Sequence, residues 1–436
     1  MKLKDRLFPL NQGIRSIFSN DTFRSISNLT GGNSAAIVIA IVSSIIQARF
    51  VSPEDLGYFN GFAIITGYLF FLNLGLHSSV QRLYPYYVGK GDKENAVDVV
   101  EICHAWNVAL SAFVCIFFIG LSIYSIVIGN WKAALAWFAQ AFLAISMIYG
   151  VYLNTTYTTS SNFTPLAKGT FFGSLFTLVT LPLFLVQPYV ALAVKNVVNT
   201  TIPLLYWHLK RPLRPNWTFS WKKWFKYNKL GLPIFASFYG ANILWRAIEN
   251  TLVLKSLGIR ELGLYSVCLM IFSVVNNIPQ SITAVYTTKI IREFGRTENV
   301  GDAIRLCRKP LILGTVILIL VILAMGTILP VIVPIVIPKY AETVPVVLLM
   351  LADQFFTLFD LPYAILLAMG RNTHRNIAVI CGMIGFVIPA IILLNSGYGL
   401  IGLVLASMFG KLIRTLLTYL FINPKITLNR AESFGN

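Results

Sequence analysis

Apolar windows long enough to cross a lipid bilayer recur along the whole chain. A spanning helix needs ~20 mostly apolar residues, and the bilayer interior admits only helices and closed barrels, because no water is present to satisfy the backbone. Windows of this length predict about twelve spans. They fall at Asn33–Phe50, Gly57–Val80, Asp98–Ile119, Ala133–Leu153, Gly169–Val186, Val190–Leu209, Leu232–Leu257, Gly263–Tyr286, Pro310–Leu329, Val346–Gly370, Ile377–Leu394 and Leu400–Phe421. The sequence therefore predicts an all-α integral membrane protein.

The basic residues predict the orientation of these spans. The net charge is +18, a value also found in proteins that bind nucleic acids. With the N-terminus on the inner side, the predicted inner segments hold 26 of the 35 lysines and arginines, and the outer segments hold 5. Cytoplasmic segments carry such an excess, so both termini are predicted to be cytoplasmic and no nucleic-acid partner is implied. The basic segment Met1–Asn28 is predicted to lie along the inner surface.

A short motif occurs twice, once in each half of the chain. Glu54–Phe59 (EDLGYF) matches Arg260–Tyr265 (RELGLY), and Arg49 matches Lys255 at the same offset. Both copies lie in an outer segment between the first and second spans of a six-span set, which is typical of parallel repeats. We therefore predict two parallel six-helix lobes around a central cavity. The lobes cover residues 1–209 and 230–436, and a basic, tryptophan-containing cytoplasmic linker covers residues 210–229.

Four polar residues lie in the middle of the seventh span. Asn242, Arg246, Glu249 and Asn250 follow the spacing i, i+4, i+7, i+8, which is one face of a helix. Charges at this depth cost roughly 2.5–3.5 kcal/mol each on insertion scales. The face either lines a wet cavity in a transporter or forms an internal Arg246–Glu249 ion pair that holds helices together.

Further polar residues lie within or at the ends of other predicted spans. The cations can bind an anion, snorkel to an interface or close the end of a helix, whereas the amides and histidine can bind sugar hydroxyls or neighbouring helices. Asp353 and Asp360 share a face, where they can carry a proton or sodium ion or pair with a cation. The remaining substrate-binding candidates are Lys195, Lys411, Arg414, Arg49, Lys255, Asn73, His77, Asn276 and Gln280.

Catalytic and metal-binding motifs are missing from the sequence. It contains neither a P-loop nor an H-E-x-x-H motif, its four histidines lack ligand spacing, and its five cysteines include no C-x-x-C pair. We therefore predict that the protein is not an enzyme, holds no metal and needs no cofactor, while transport coupled to a proton, sodium or the membrane potential stays open.

Three short segments resemble the polysaccharide-biosynthesis transporters of the multidrug/oligosaccharidyl-lipid/polysaccharide exporter superfamily. They are Ser52–Phe59 in the outer loop, Leu72–Leu76 late in the second span and Leu230–Pro233 at the start of the second lobe. The layout of the whole chain is similar to that of the O-antigen (Wzx-type) flippases. Asn73 departs from the pattern, since many relatives have an acidic residue there, and this argues against an ion site in the second span.

The resemblance implies a function and a location. It implies an alternating-access flippase in the bacterial cytoplasmic (inner) membrane that moves undecaprenyl-diphosphate-linked oligosaccharide units to the outer leaflet. The product would enter O-antigen or another surface polysaccharide, and a polysaccharide polymerase and a chain-length regulator are the implied partners besides membrane lipids. The main alternative is a cation-coupled multidrug exporter of the same superfamily. A membrane glycosyltransferase or polymerase would need larger outer loops, and a non-transporting scaffold would not need the charges within the spans.

Overall fold

The computed structural model describes Ala36 and residues 39–160, 162, 164–297 and 299–422. Every regular element in these residues is helical, which confirms the predicted all-α fold. The predicted surface segment Met1–Asn28 and the tail after Ile422 lie outside the described residues.

The described residues of the first half of the chain form eight α-helices. They are α1 (Ile39–Phe50), α2 (Pro53–Leu69), α3 (Leu76–Gly89), α4 (Lys93–Val127), α5 (Trp131–Thr159), α6 (Thr164–Val179), α7 (Leu183–Val186) and α8 (Pro188–Leu209). Several begin at clear start signals. Ser52 caps α2 by accepting a hydrogen bond from the Asp55 amide at 3.1 Å, and Pro53 follows at the first helical position.

Eight more α-helices are formed by the described part of the second half. They are α9 (Trp221–Phe238), α10 (Trp245–Ser256), α11 (Ile259–Thr297), α12 (Val300–Val336), α13 (Val344–Phe359), α14 (Tyr363–Ala368), α15 (Asn372–Asn395) and α16 (Gly399–Ile422). A π-helical turn, Tyr239–Leu244, joins α9 to α10 without a break, because the residues on both sides keep right-handed helical dihedrals.

The helices are long and apolar enough for a multi-pass membrane protein. Nine helical segments among the described residues meet the length and hydropathy needed to cross a bilayer. Each of the twelve predicted windows overlaps a helix. The windows at Asn33–Phe50, Val190–Leu209 and Leu232–Leu257 fall on helices outside those nine. The described part of α1 is short, and polar residues lower the mean hydropathy of α8 to α10.

The helices pack into two compact units whose boundaries differ from the predicted lobes. One unit holds residues 79–227 with the described residues up to Ser43, and the other holds residues 44–78 with the chain from Asn228 onward. Helix α2, which the repeat assigns to the first lobe, thus packs within the second unit, chiefly against α11. Most of the linker 210–229 belongs to the first unit.

The two copies of the repeated motif pack directly on each other within the second unit. A Cβ built on Gly57 would overlap the carbonyl oxygen of Ile259, and one built on Gly263 would overlap that of Pro53. Close approach of this kind needs glycine on both helices. The crossing of α2 and α11 at Gly57 and Gly263 therefore explains why the second span joins the second unit.

The second predicted span is wrong as a single helix. After α2 the chain forms a 3-10 turn at Phe70–Asn73, and Leu74 and Gly75 then adopt positive φ angles of 51° and 87°. A Cβ on Gly75 would lie 2.8 Å from the carbonyl oxygen of Gly231. The chain therefore breaks where α9 approaches most closely, and α3 begins afresh at Leu76.

The tenth predicted span is also interrupted. Helix α13 ends at Phe359 with Asp360 as its C-cap, and α14 begins at Tyr363. Pro362 cannot donate a backbone hydrogen bond, which favours an interruption here. The break places Asp360 where a membrane helix would otherwise continue.

Two acidic residues of α4 hold the linker in the first unit. Asp98 pairs with Lys223 at 2.7 Å, and Glu101 accepts a hydrogen bond from the Thr218 hydroxyl at 2.5 Å. Residues 211–220 are not helical, and α9 begins at Trp221. The linker is therefore a non-helical segment followed by the first turns of α9.

The α2–α11 crossing can be tested with one substitution made at two neighbouring sites. Gly57→Ala should reduce the free energy of unfolding by about 1–3 kcal/mol through overpacking. Gly61→Ala, one turn away, should be neutral or stabilising, because its Cβ would have nothing closer than 3.8 Å and alanine favours helix. Thermal unfolding in detergent measures both, and equal effects would contradict the crossing.

Candidate functional site

A cavity of about 580 Å³ lies within the second unit. Its wall combines α9, the π-helical turn, α10, α11, α13, α14, α15 and α16. The polar lining includes Asn242, Arg246, Asn276, Gln280, Thr283, Asp360, Arg375, Lys411 and Arg414. Six of the predicted substrate-binding residues are thus brought together from helices that are distant in sequence.

The polar face of the seventh span is divided by its local structure. The π-helical turn at Tyr239–Leu244 changes the hydrogen-bond spacing from four to five residues, a distortion often found at functional sites. Asn242 and Arg246 line the cavity, whereas Glu249 lies behind it with 2% of its surface exposed. Asn250 is not part of the lining.

The Glu249 carboxylate is fully satisfied by neighbouring donors. Its Oε2 accepts hydrogen bonds from Arg246 Nη1 at 2.6 Å and the Tyr265 hydroxyl at 2.8 Å. Its Oε1 accepts from Trp245 Nε1 at 3.1 Å and the Ser407 hydroxyl at 2.8 Å. Arg246 therefore lines the cavity and is also one half of an internal ion pair.

Two further ion pairs connect α13 and its C-cap to α16. Lys411 Nζ pairs with Asp353, and Arg414 Nη2 pairs with Asp360 Oδ2 at 3.0 Å. Asp353 and Arg414 are buried, with 4% and 6% of their surfaces exposed. The two carboxylates predicted as ion-coupling candidates thus each have a basic partner.

Arg375 is a cavity residue that the sequence patterns assign to an inner loop. The predicted eleventh span begins at Ile377, but α15 begins at Asn372 and includes Arg375. Its guanidinium lies 4.2 Å from the centroid of the Tyr363 ring. Its position within one turn of the apolar window that begins at Ile377 could have indicated this, because a helix can extend beyond its apolar window into polar sequence.

Several polar atoms around the cavity have no hydrogen-bond partner among the described residues. The amide oxygen of Asn276, the hydroxyl of Thr283 and Oδ1 of Asp360 are buried and unpaired. Such groups cost free energy unless water or a ligand satisfies them. Together with Gln280 they can accept or exchange hydrogen bonds with a hydroxyl-rich ligand.

The other predicted site residues do not line this cavity. Asn73 and His77 are buried elsewhere in the second unit, His77 with its ring 5.5 Å from that of Phe235. Arg49 and Lys255 are exposed at the ends of their helices. Lys195 belongs to α8 of the first unit. Within the described residues no cluster of three or more metal-ligating side chains is found.

Comparison with known families identifies the chain. A model of the family described as "Polysaccharide biosynthesis protein" matches residues 46–294. The chain belongs to this family. No curated protein sequence matches it.

The fold is shared with solved MATE transporters. An inward-facing multidrug resistance transporter of the MATE family, in the MOP superfamily, aligns with a TM-score of 0.71 at 16% identity, covering 92% of this chain and 96% of that one. An outward-facing structure of such a transporter gives 0.64 at 16% identity, covering 92% and 95%. A eukaryotic MATE transporter, AtDTX14, gives 0.61 at 18% identity, covering 92% and 96%. The family match and the shared fold confirm the resemblance to the exporter superfamily.

The Glu249 network gives a stability prediction with a matched control. Glu249→Gln leaves Arg246 without its counter-charge, and breaking a buried pair in this way should cost about 3–5 kcal/mol of unfolding free energy. Glu342→Gln removes a carboxylate that pairs with Arg260 at an exposed position, and this change should cost less than about 1 kcal/mol. Thermal unfolding in detergent compares them, and similar losses would show that the Glu249 network does not stabilise the fold.

Proposed function

We propose that the protein is a flippase that moves undecaprenyl-diphosphate-linked oligosaccharide units from the cytoplasmic to the outer leaflet by alternating access. The observation that carries this proposal is the charge of the cavity. Arg246, Arg375, Lys411 and Arg414 line it against one lining carboxylate, Asp360. An excess of cations suits an anionic headgroup, and membership of a polysaccharide-biosynthesis family supplies the glycan.

The lining offers separate partners for the two polar parts of such a cargo. A cation ~4 Å from a phosphate oxygen gains on the order of 4 kcal/mol at an effective dielectric near 20, so two such contacts offset much of the headgroup dehydration. Asn242, Asn276 and Gln280 provide donors and acceptors for sugar hydroxyls. The polyprenyl tail would stay in lipid, because its transfer from lipid to a polar cavity is unfavourable.

The ion pairs around the cavity lower the cost of burying its charges. Lys411 pairs with Asp353 and Arg414 pairs with Asp360, so both of these cations have a partner before the cargo binds. A coupling proton or sodium ion would have to compete with these basic side chains. The membrane potential offers an alternative driving force, since an inside-negative potential favours outward movement of an anion by ~2.3 kcal/mol per charge per 100 mV.

Cation-coupled multidrug export is the second candidate function, and the shared MATE fold favours it. A cavity for cationic drugs needs carboxylates that outnumber basic side chains. This cavity has the opposite balance. The charge of the lining therefore favours the flippase proposal, whereas the fold alone is compatible with both a flippase and a multidrug exporter.

Reconstitution in liposomes tests the proposed function. Proteoliposomes loaded with undecaprenyl-diphosphate oligosaccharide should expose the glycan to an externally added lectin faster than protein-free liposomes. A potassium gradient with valinomycin, set to drive anions outward, should increase this rate. A fluorescent cationic drug serves as the competing cargo.

The two candidate functions predict opposite results in this assay. Glycan movement without drug movement supports the flippase, and drug movement without glycan movement overturns it. If the rate of glycan movement does not depend on the membrane potential, the flippase proposal stands, but the potential is not its driving force.

A further inference from the structure

The cations of the cavity fall into two classes. Arg246, Lys411 and Arg414 each have a carboxylate partner in Glu249, Asp353 and Asp360 respectively. Arg375 forms no ion pair with any carboxylate of the described residues, although it lines the same cavity. Arg375 is therefore the lining cation without a direct carboxylate partner among the described residues, although Asp360, the partner of Arg414, lies within electrostatic range of it.

Arg375 is buried although it has no direct carboxylate partner among the described residues. Only 5% of its surface is exposed, and its Nε and Nη1 atoms have no hydrogen-bond partner among the described residues. Burying a cation without a counter-charge is costly. The face of the Tyr363 ring, 4.2 Å from the guanidinium carbon, does not neutralise the charge, and the nearby Asp360 is already paired with Arg414.

The surroundings of Arg375 supply further donors. The hydroxyl of Tyr363 and Nε of Arg414 are also buried without a partner, and both residues line the cavity. Arg375 lies in the first turn of α15, which starts at Asn372 without a side-chain cap, so the helix dipole favours an anion at this end of the helix.

We propose that Arg375 and Tyr363 form the docking site for a phosphate group of the cargo, in the part of the cavity lined by α14 and α15. The inference rests on the proposed function and deepens it. A guanidinium can hold two phosphate oxygens at once, and the stacking on Tyr363 keeps its plane fixed before the anion arrives. Arg246, whose Nη1 already binds Glu249 and Tyr265, is then not the first contact for the headgroup.

The remaining lining fits this assignment. The unpaired acceptors Asn276 Oδ1 and Asp360 Oδ1 repel an anion and attract hydroxyl groups. The unpaired donors can bind phosphate, and the unpaired acceptors can bind sugar hydroxyls next to it, since Asp360 pairs with Arg414 and lies within electrostatic range of Arg375.

Equilibrium binding to the purified full-length protein tests the site. The probes are undecaprenyl diphosphate and, as the uncharged control, undecaprenol. Wild type should bind the diphosphate and not the alcohol. Arg375→Gln should weaken binding about tenfold, and Tyr363→Phe should weaken it about threefold. The control Arg305→Gln removes an arginine that is 81% exposed outside the cavity, and it should bind like wild type.

Thermal unfolding of the same variants distinguishes a binding role from a structural one. Arg375→Met should leave the melting temperature unchanged or raise it, because the variant removes an unpaired buried cation. Arg414→Met should lower it, because Asp360 would lose its partner. A structural role for Arg375 predicts a loss of stability that accompanies any loss of binding.

The outcomes separate the two levels of the proposal. If wild type and Arg375→Gln bind undecaprenyl diphosphate equally well, the docking-site proposal is overturned and the flippase proposal is not affected. If wild type binds no diphosphate, both are overturned. Weakened binding at unchanged stability supports the site.

Discussion

The second unit depends on one buried carboxylate. Glu249 accepts four hydrogen bonds, from Trp245 and Arg246 on its own helix, from Tyr265 on α11 and from Ser407 on α16. A charge in a membrane interior is tolerated only when its lone pairs are satisfied. Because the donors come from three helices, the hydrogen bonds that lower the cost of burying the Glu249 carboxylate also hold together the wall of the cavity.

The cavity shows how charge can be kept within an apolar fold without being wholly neutralised. Arg246, Lys411 and Arg414 are placed beside carboxylates, which reduces their desolvation cost. Arg375 is held instead by packing against Tyr363. A fold that leaves one cation unpaired gives up stability at that position, and such sites are commonly functional. This division between paired and unpaired cations is the link between the architecture and the proposed anionic cargo.

Much of the site could be predicted from helical spacing. The i, i+4 relation placed Asn242 and Arg246 together on the cavity wall, and the i, i+7 relation placed Asp353 and Asp360 towards the same helix, α16. Arg375 could not be found this way, because hydropathy windows end where polar residues begin even when the helix continues. Spacing also cannot tell which candidates share a cavity: Asn73 and Arg49 carry suitable groups but lie elsewhere.

The sequence by itself determined the all-helical membrane fold and the position of almost every helix, because hydrophobic length and the bilayer leave few alternatives. It also revealed the repeat at Gly57 and Gly263. Only the tertiary structure decided that these glycines pack on each other and bring α2 into the second unit. It alone decided which cations are paired, since pairing depends on distances between helices far apart in the chain. Local periodicity carries no information on such distances.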